Sequence, residues 1–438
     1  MKNEEKIGVR EAASRSLLRC FNENKFSNIE VDTKIKKYRF EGSDKALFTT
    51  LVYGVIERLI TLDYIISRFS SRPPEKLEDS VKTILRLGVF QIVFCDRIPD
   101  SAAVSESVEL SKKLCHKGVS GFVNGVLRSV ARGKDSIDYS YGCNDTAELF
   151  QRKYSVKKWI CELFISSYGE EKAEEILSAS HILPPLSLRV NTLKTDRQAL
   201  LDTLPKSEAL EETESGIRFL SPVPISEINQ IESGLCFVQD KSSQLCVKAV
   251  DARAGQTVID TCSCPGGKSF GMAIDMENSG RLLSFDLHES KLSLVKKGAE
   301  RLGISIIEAK VQDGAKKEDS LTKTADRVLC DVPCSGLGVL AKKPDLRYKR
   351  KEDIDRLPDI QYAILESSSA YVKKNGFLIY STCTLNPAEN EEIVKRFLTE
   401  HKEFIPETAG MPEGQSSVTL FPSKSGSDGF FIAKFKRI

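Results

Sequence analysis

The 438-residue chain has no apolar run approaching the roughly 18 residues that a membrane-spanning helix requires. Its opening segment, MKNEEKIGVREAASRSLLRC, is charged and lacks the apolar core of a secretory signal, so a cytoplasmic protein is expected. Internal repeats and low-complexity tracts are missing. Histidine is scarce, at four residues, so a zinc centre would have to rest on paired cysteine modules. Cys262-x-Cys264 is too tight for one, and Cys330 and Cys334 straddle an apparent strand end; no metal is expected. The twelve cysteines are scattered along a chain without a signal, which argues for reduced thiols rather than disulfides.

Two more absences concern DTCSCPGGKSF, residues 260–270. Gly267-Lys268-Ser269 resembles the end of a phosphate-binding loop, but the first glycine of that pattern would fall at Cys262. Pro265 also removes a backbone donor from the turn. The G-x-G-x-x-G of nicotinamide-dependent enzymes is absent from this turn as well. What remains is a strand running into a glycine-containing turn and then a helix, an arrangement that lets backbone approach a nucleotide-like ligand.

Hydrophobic residues make up 40% and charged residues 29%, as in a globular protein, and the length implies two or three domains. Charge is uneven: residues 1–132 hold 23 Lys and Arg against 17 Asp and Glu, the remainder 41 against 45. That bias is equally consistent with a polyanion partner and with an ordinary solvated surface. Segments such as DKALFTTLVYGVIERLITLDYIISRF and LEDSVKTILRLGVFQIVF carry apolar residues at spacings of three and four, predicting an all-α bundle over 1–135. RGKDSIDYSYGCND then reads as a linker. Two helical segments and the short strands LSLRVNTLK, GIRFL and GLCFVQD predict a small α+β subdomain over 146–235. From 236 to 438, QTVIDTC, RLLSFDL, SIIEAKVQD, ADRVLCDV and GFLIYSTC alternate with helical stretches, which predicts a doubly wound α/β Rossmann-like domain. GFFIAKFKR follows without an intervening helix and is expected to pair antiparallel at the sheet's end.

Asp286, Asp313 and Asp331 stand at the ends of successive strands of that alternation, converging on the carboxyl edge where such sheets bind ligands. Cys334 in DVPCSG and Cys383 in YSTCT project over the same edge. A lone thiol there is often a small apolar filler; two in adjacent loops point to chemistry.

DTCSCPGGKS, DVPCSGLG and YSTCTLNPAENE resemble motifs of the RNA cytosine methyltransferases that make 5-methylcytosine. RVNTLK, VQDKSSQ and DGFFIAKF resemble further segments of that family, and LVYGVIER, ILRLGVFQIV, AAVSESVELSKK and GFVNGVLR are similar to the NusB-like domain of its Sun/RsmB-type 16S ribosomal RNA subfamily. The resemblance implies S-adenosylmethionine as cofactor and 16S ribosomal RNA as partner; on oligomeric state the sequence is silent, and a monomer is assumed. It implies Cys383 as nucleophile on carbon 6 of cytosine, Cys334 as the residue releasing the intermediate, and Asp331 at the base's N3 edge. The cofactor would lie along Cys262, Ser263, Cys264, Pro265, Gly266, Gly267 and Lys268, with Asp286 at its ribose, Asp313 near its adenine, and Asp331 beside it. Arg189 and Asn191, which match the family's RVN segment, would support RNA binding or the cofactor loop. Lys343 and Arg347, in the basic run AKKPDLRYKRKED with Lys342, Lys349, Arg350 and Lys351, would track phosphates, with Tyr348 available to stack. Departures are small: Ser263-Cys264 where the family usually has two alanines, Val332 where alanine is common, and Lys342-Lys343 where relatives often carry Arg-His. Two other readings stand beside this one: an RNA-binding or assembly factor with a vestigial catalytic half, and a methyltransferase acting on transfer RNA.

Overall fold

The structure, a computed structural model, describes residues 7–23, 25–116, 118–408, 414–422 and 426–438. The chain divides into two compact units: one runs to His181 and also takes in Lys343–Lys349, and the other comprises Ile182–Lys342 and Arg350–Ile438. Among the described residues, no helix is long and apolar enough to cross a membrane.

The first unit is helical, with α1 (Val9–Asn22), α2 (Ser27–Tyr38), α3 (Gly42–Glu57), α4 (Leu59–Phe69), α5 (Asp79–Phe94), α6 (Asp100–Leu114) and α7 (Val119–Gly133), followed by α8 (Thr146–Tyr154), α9 (Lys158–Tyr168) and α10 (Glu170–Ala179). Apolar residues at helical spacing make its core, among them Leu17, Phe48, Leu51, Ile65, Ile84, Leu85, Val123 and Leu127. The long apolar segment after Ser43 is two helices, because the chain leaves helical geometry at Arg58 (φ −111°, ψ 15°). Helices α8–α10 belong to this unit, so the region read as one subdomain over 146–235 is divided after His181.

The basic run is where structure and expectation differ most. Arg347 is 0% exposed, and its guanidinium donates to the carbonyls of Tyr154 (3.0 Å) and Ser180 (2.5 Å) and to the Ser180 hydroxyl. The Tyr348 hydroxyl donates to the Ile56 carbonyl at 2.6 Å and accepts the Leu59 N–H at 3.1 Å. Asp345 accepts from Ser27, and the Lys349 carbonyl accepts from the Trp159 indole. The segment is a structural strap of the helical unit: Arg347 is not a phosphate contact and Tyr348 is not free to stack. Their polar atoms satisfy helix-end and loop groups that would otherwise be buried unpaired.

The second unit holds two sheets. The smaller joins β1 (Ser187–Val190), β2 (Ser207–Ala209), β3 (Gly216–Phe219) and β4 (Cys236–Val238) in the antiparallel order β2-β3-β1-β4, with short helices α11 (Arg197–Leu201) and α12 (Asn229–Glu232). The larger contains β5 (Thr257–Asp260), β6 (Arg281–Asp286), β7 (Ile307–Val311), β8 (Ala325–Asp331), β9 (Val372–Thr382), β10 (Phe404–Pro406), β11 (Ser417–Leu420) and β12 (Phe430–Arg437). Its order is β10-β12-β9-β8-β5-β6-β7, parallel from β9 to β7, with β11 also pairing β12. As expected, β12 pairs antiparallel, but it is not the edge, since β10 and β11 continue the sheet beyond it.

Alternate strand residues enter opposite cores, as in a sheet covered on both faces. Val258, Leu282, Leu329 and Ile379 pack with residues of α13 (Lys241–Val250), α14 (Gly267–Asp275) and α15 (Glu289–Leu302). Their neighbours Ile259, Leu283, Val328 and Leu378 pack with α16 (Leu357–Ser369) and α17 (Glu391–Glu400).

The strap yields a test. Arg347→Lys keeps the charge but cannot fork to two carbonyls, and it is expected to lower stability by about 2–3 kcal/mol in denaturant unfolding. Unchanged stability with weakened RNA affinity would return Arg347 to the phosphate-contact role.

Candidate active site

Strands β8 and β9 run parallel in a register that sets Cys330 opposite Tyr380 and Asp331 opposite Ser381. The loops leaving them therefore start side by side at the carboxyl edge. They bring the sulfurs of Cys334 and Cys383 to 3.2 Å, and the residues that follow, Ser335 and Thr384, share a hydroxyl–hydroxyl hydrogen bond of 2.6 Å. Gly338 allows the close approach. Its N–H donates to the Cys383 carbonyl at 3.0 Å, and a Cβ there would lie 2.1 Å from the Gly429 carbonyl oxygen. The glycines of CSGLG and DGFF thus meet beneath the thiol pair.

Asp331 is held from two sides. Lys268, in the first turn of α14, donates to its Oδ2 at 2.7 Å, and the Ser381 hydroxyl donates to its Oδ1 at 2.7 Å. Lys268 also lies 5.1 Å from the centroid of the Phe430 ring. Burial works against the lysine charge, but Asp331, with lesser help from Cys246 and Cys383, lifts its pKa above the ordinary lysine value. The thiol Cys334 is pushed well up by its hydrogen bond with Cys383, then by burial and by the charges of Cys383 and Glu389.

The loop from Cys262 to Lys268 lies at the end of β5, the strand between β6 and β8 where the direction of winding reverses. Ser263 ties it to β6, donating through both N–H (2.7 Å) and hydroxyl (3.0 Å) to the Phe285 carbonyl. Gly266 takes φ +114°, and a Cβ there would fall 2.4 Å from the Phe270 ring. The Gly267 carbonyl accepts from Gln239 at 2.8 Å. Cys264 is hydrogen-bonded to Asp286, and burial followed by that carboxylate pushes the thiol up to about 12. Asp286 ends β6, with one oxygen accepting the His288 N–H at 2.8 Å, and the next residue, Leu287, is an exposed apolar side chain. Asp313 caps the Ala315 N–H at 3.1 Å and pairs with Lys316, and Gly314 adjoins Cys262. A glycine turn, a strand-end carboxylate and an exposed leucine form a donor set that fits a nucleoside-bearing cofactor, with ribose on the acid and a purine on the apolar surface.

Three expected RNA contacts are placed elsewhere. Arg189 is buried and pairs with Asp275 at the end of α14, while the Asn191 amide donates to the carbonyls of Gly234 (2.9 Å) and Leu302 (2.8 Å). Both are buried and brace helices beside the cofactor loop, out of reach of a phosphate. Lys342, expected to track phosphates, is held at 2.7 Å by each of Asp240 and Asp428. Of Arg189, Asn191, Lys343 and Arg347, Lys343 is the exposed one, and in the rest of the basic run Lys342, Arg350 and Lys351 are exposed too. The sequence reading missed Ser381, Phe430 and the buried run Asn386, Glu389 and Asn390, although NPAENE beside the second cysteine carried the signal. Among the described residues, no group of three or more His, Cys, Asp or Glu is arranged to hold a metal.

Fold and site together define a nucleoside-cofactor-dependent transferase of the Rossmann-like class. The sequence profile described as 16S rRNA methyltransferase RsmB/F matches residues 247–436, that of the NusB family 8–132, and that of the RsmF/B-like ferredoxin-like domain 157–226. Over 99% of both chains, the sequence is 36% identical to the probable ribosomal RNA small subunit methyltransferase B of Bacillus subtilis (strain 168). The chain belongs to the RsmB/F family of 16S rRNA methyltransferases, and its cofactor is S-adenosylmethionine. The crystal structure of PH0851 shows the same fold with a TM-score of 0.80 at 24% identity, covering 99% of this chain and 100% of that one. NSun6 from Pyrococcus horikoshii, with SFG bound, gives 0.59 at 22% identity over 64% of this chain and 98% of that one.

Beneath the cofactor loop, Asp260 is buried and accepts from Ser269 at 2.6 Å. Burial lifts its pKa to about 7, with Asp331 adding to the rise and Ser269 and Lys268 opposing it. An unfolded aspartate loses its proton near pH 4, at about 3.9, so stability falls as pH rises from there through 7 and stays low above it. Asp260→Asn is expected to remove that dependence. Against wild type its melting temperature should gain steadily between pH 4 and 8, whereas parallel profiles would reject the assignment.

Proposed function

We propose that this protein transfers a methyl group from S-adenosylmethionine to carbon 5 of a cytosine in 16S ribosomal RNA through a covalent cysteine–cytosine adduct. The observation that carries the reading is the thiol pair, 3.2 Å apart and next to the Asp331–Lys268 ion pair. The helical unit, with its NusB-family match over 8–132, is the RNA-binding part, and of the basic run the exposed Lys343 and Lys351 remain as phosphate contacts, Arg350 being paired with Asp353. We further propose a cytoplasmic monomer that uses no metal.

The target base must leave its stack to reach a sulfur. Cys383, as thiolate, adds to carbon 6, and the ring becomes an enamine whose carbon 5 is nucleophilic. Lys268 assists, since the attraction between its ammonium and the Cys383 sulfur favours the charged form of each. Asp331 lies between Lys268 and Ser381, where it steers a proton to N3 as negative charge develops in the ring. When bound along Cys262–Lys268, Asp286 and Asp313, the cofactor supplies an electrophilic methyl group. With Cys383 bonded to carbon, Cys334 loses its own proton to solvent and as thiolate takes the proton from carbon 5; the electron pair left behind restores the 5,6 double bond, Cys383 leaves as thiolate, and N3 gives up its proton past Asp331. The strongest influence raising the Cys334 pKa is its hydrogen bond with Cys383. Once the Cys383 sulfur is bonded to carbon that influence ends, so the environment of Cys334 changes when its proton transfer is due.

Covalent trapping tests the roles. With S-adenosylmethionine and substrate RNA, Cys334→Ala should accumulate a protein–RNA adduct stable in denaturing gels, and Cys383→Ala should form none and lose activity. An adduct on Cys383→Ala would overturn the assignment. Bisulfite sequencing of RNA from cells lacking the protein should show one 16S cytosine losing its methyl group. Unchanged 16S RNA with a loss in transfer RNA would move the substrate.

A further inference from the structure

The residues Glu389 and Asn390 are adjacent, both fully buried, and used by no step above. Each reaches a different cysteine loop. The Glu389 Oε2 accepts the Ser335 N–H at 2.8 Å and the Gln361 amide at 2.8 Å, and that amide also donates to the Pro333 carbonyl at 3.0 Å. Ser335 and Pro333 flank Cys334, so the Glu389–Gln361 pair grips the backbone on both sides of that thiol. The Oε1 accepts from Asn386 at 3.0 Å, and the Glu389 carbonyl accepts the Tyr380 hydroxyl at 2.6 Å. The Asn390 Oδ1 accepts the Thr382 hydroxyl at 2.6 Å, and its Nδ2 donates to the Thr384 carbonyl at 3.0 Å. Thr382 and Thr384 flank Cys383.

We infer that Glu389 and Asn390 are a divided pair of positioning residues, Asn390 setting Cys383 for attack on carbon 6 and Glu389 setting Cys334 for removal of the carbon-5 proton. The inference rests on the two-cysteine reading above. Its physical basis is the donor count around each side chain. Three N–H donors converge on the Glu389 carboxylate, which can accept them all, whereas a glutamine would turn its own NH₂ toward one of them. A buried carboxylate is costly to keep unless such donors satisfy it, and a satisfied one holds its partners rigidly. Asn390 must present one acceptor and one donor in opposite directions, a pattern that neither aspartate nor leucine can reproduce. The two clamps meet at the peptide bond between them and at Thr384, which bonds Ser335 and Asn386, but Glu389 and Asn390 hold different backbone groups, so changing one side chain loosens its own loop first.

The readout is adduct level against turnover, on the full-length protein with S-adenosylmethionine and substrate RNA. Glu389→Gln should lower turnover by about 10- to 100-fold while trapped adduct rises toward the Cys334→Ala level, since misplacement by about 1 Å has that effect on a rate. Asn390→Asp should lower turnover comparably with adduct reduced. Gln361→Met and Thr382→Val, near-isosteric changes in the partners, should move adduct in the same two opposite directions by a smaller factor, which secures the test against misfolding of the first pair. Adduct falling in all four variants, or staying at the wild-type level in all four, would overturn the inference. A Cys334→Ala control that accumulates adduct beside variants that do not locates the failure in the clamps alone. A control without adduct removes the two-cysteine reading and the inference with it.

Discussion

The active site depends on one register: Asp331 of β8 lies opposite Ser381 of β9 at the ends of two adjacent parallel strands. Side chains alternate along a strand, so a slip of one residue would turn Asp331 and Ser381 into the opposite layers and send both loops from different heights. In the observed register, Ser381 donates to Asp331, Lys268 reaches the same carboxylate from α14, and the two cysteines leave the sheet at one level. Register is secured by the strands' burial on both faces, with Leu329 and Ile379 in one core and Val328 and Leu378 in the other.

Around that register the protein assembles an unusual density of buried polar groups. Asp260, Ser269 and Ser284 form a chain beneath the cofactor loop, Asp331 and Lys268 a half-buried ion pair, and Glu389 with its donors a network behind the thiols. Each would destabilise an apolar interior if left incomplete. Their hydrogen bonds hold loop backbone beside the sheet, as at Ser335, the placement that the proposed two-step reaction requires. The raised carboxyl of Asp260 shows the expense, since stability is given up above neutral pH to keep an acid under the loop.

Much of this was legible from local pattern. The parallel strands announced themselves as short apolar runs, and the acids Asp286, Asp313 and Asp331 sat at their ends. The thiols at 334 and 383 were visible as a pair because each closely follows a strand, Cys383 directly and Cys334 after Val332 and Pro333. The basic run was misread for a definite reason: Arg347 and Tyr348 have the composition of an RNA-binding strip, but composition does not reveal that Tyr154, Ser180, Ile56 and Leu59 wait with unpaired backbone groups. Of the two roles expected for Arg189 and Asn191, short spacing could not choose, since their partners Asp275 and Leu302 lie 86 and 111 residues away in sequence. NPAENE was quoted as a motif and given no role, because its work is done across a loop 54 residues earlier.

By itself, the amino-acid sequence determined the alternation of strands and helices, the strand-end acids, the glycine turn at 266–267, the two strand-end thiols and membership of a methyltransferase family. These are encoded by residue type and short spacing, which persist whatever the rest of the chain does. Only the tertiary structure decided which polar residues face a substrate and which satisfy the interior. It placed Lys343 in solvent and Arg347, four residues on, in a sealed pocket of carbonyls. It also set β12 inside the sheet rather than at its edge, and joined each cysteine loop to its own clamp. The reason is the same in each case: a hydrogen-bonding group goes where its partners are unpaired, and those partners come together only when distant segments fold.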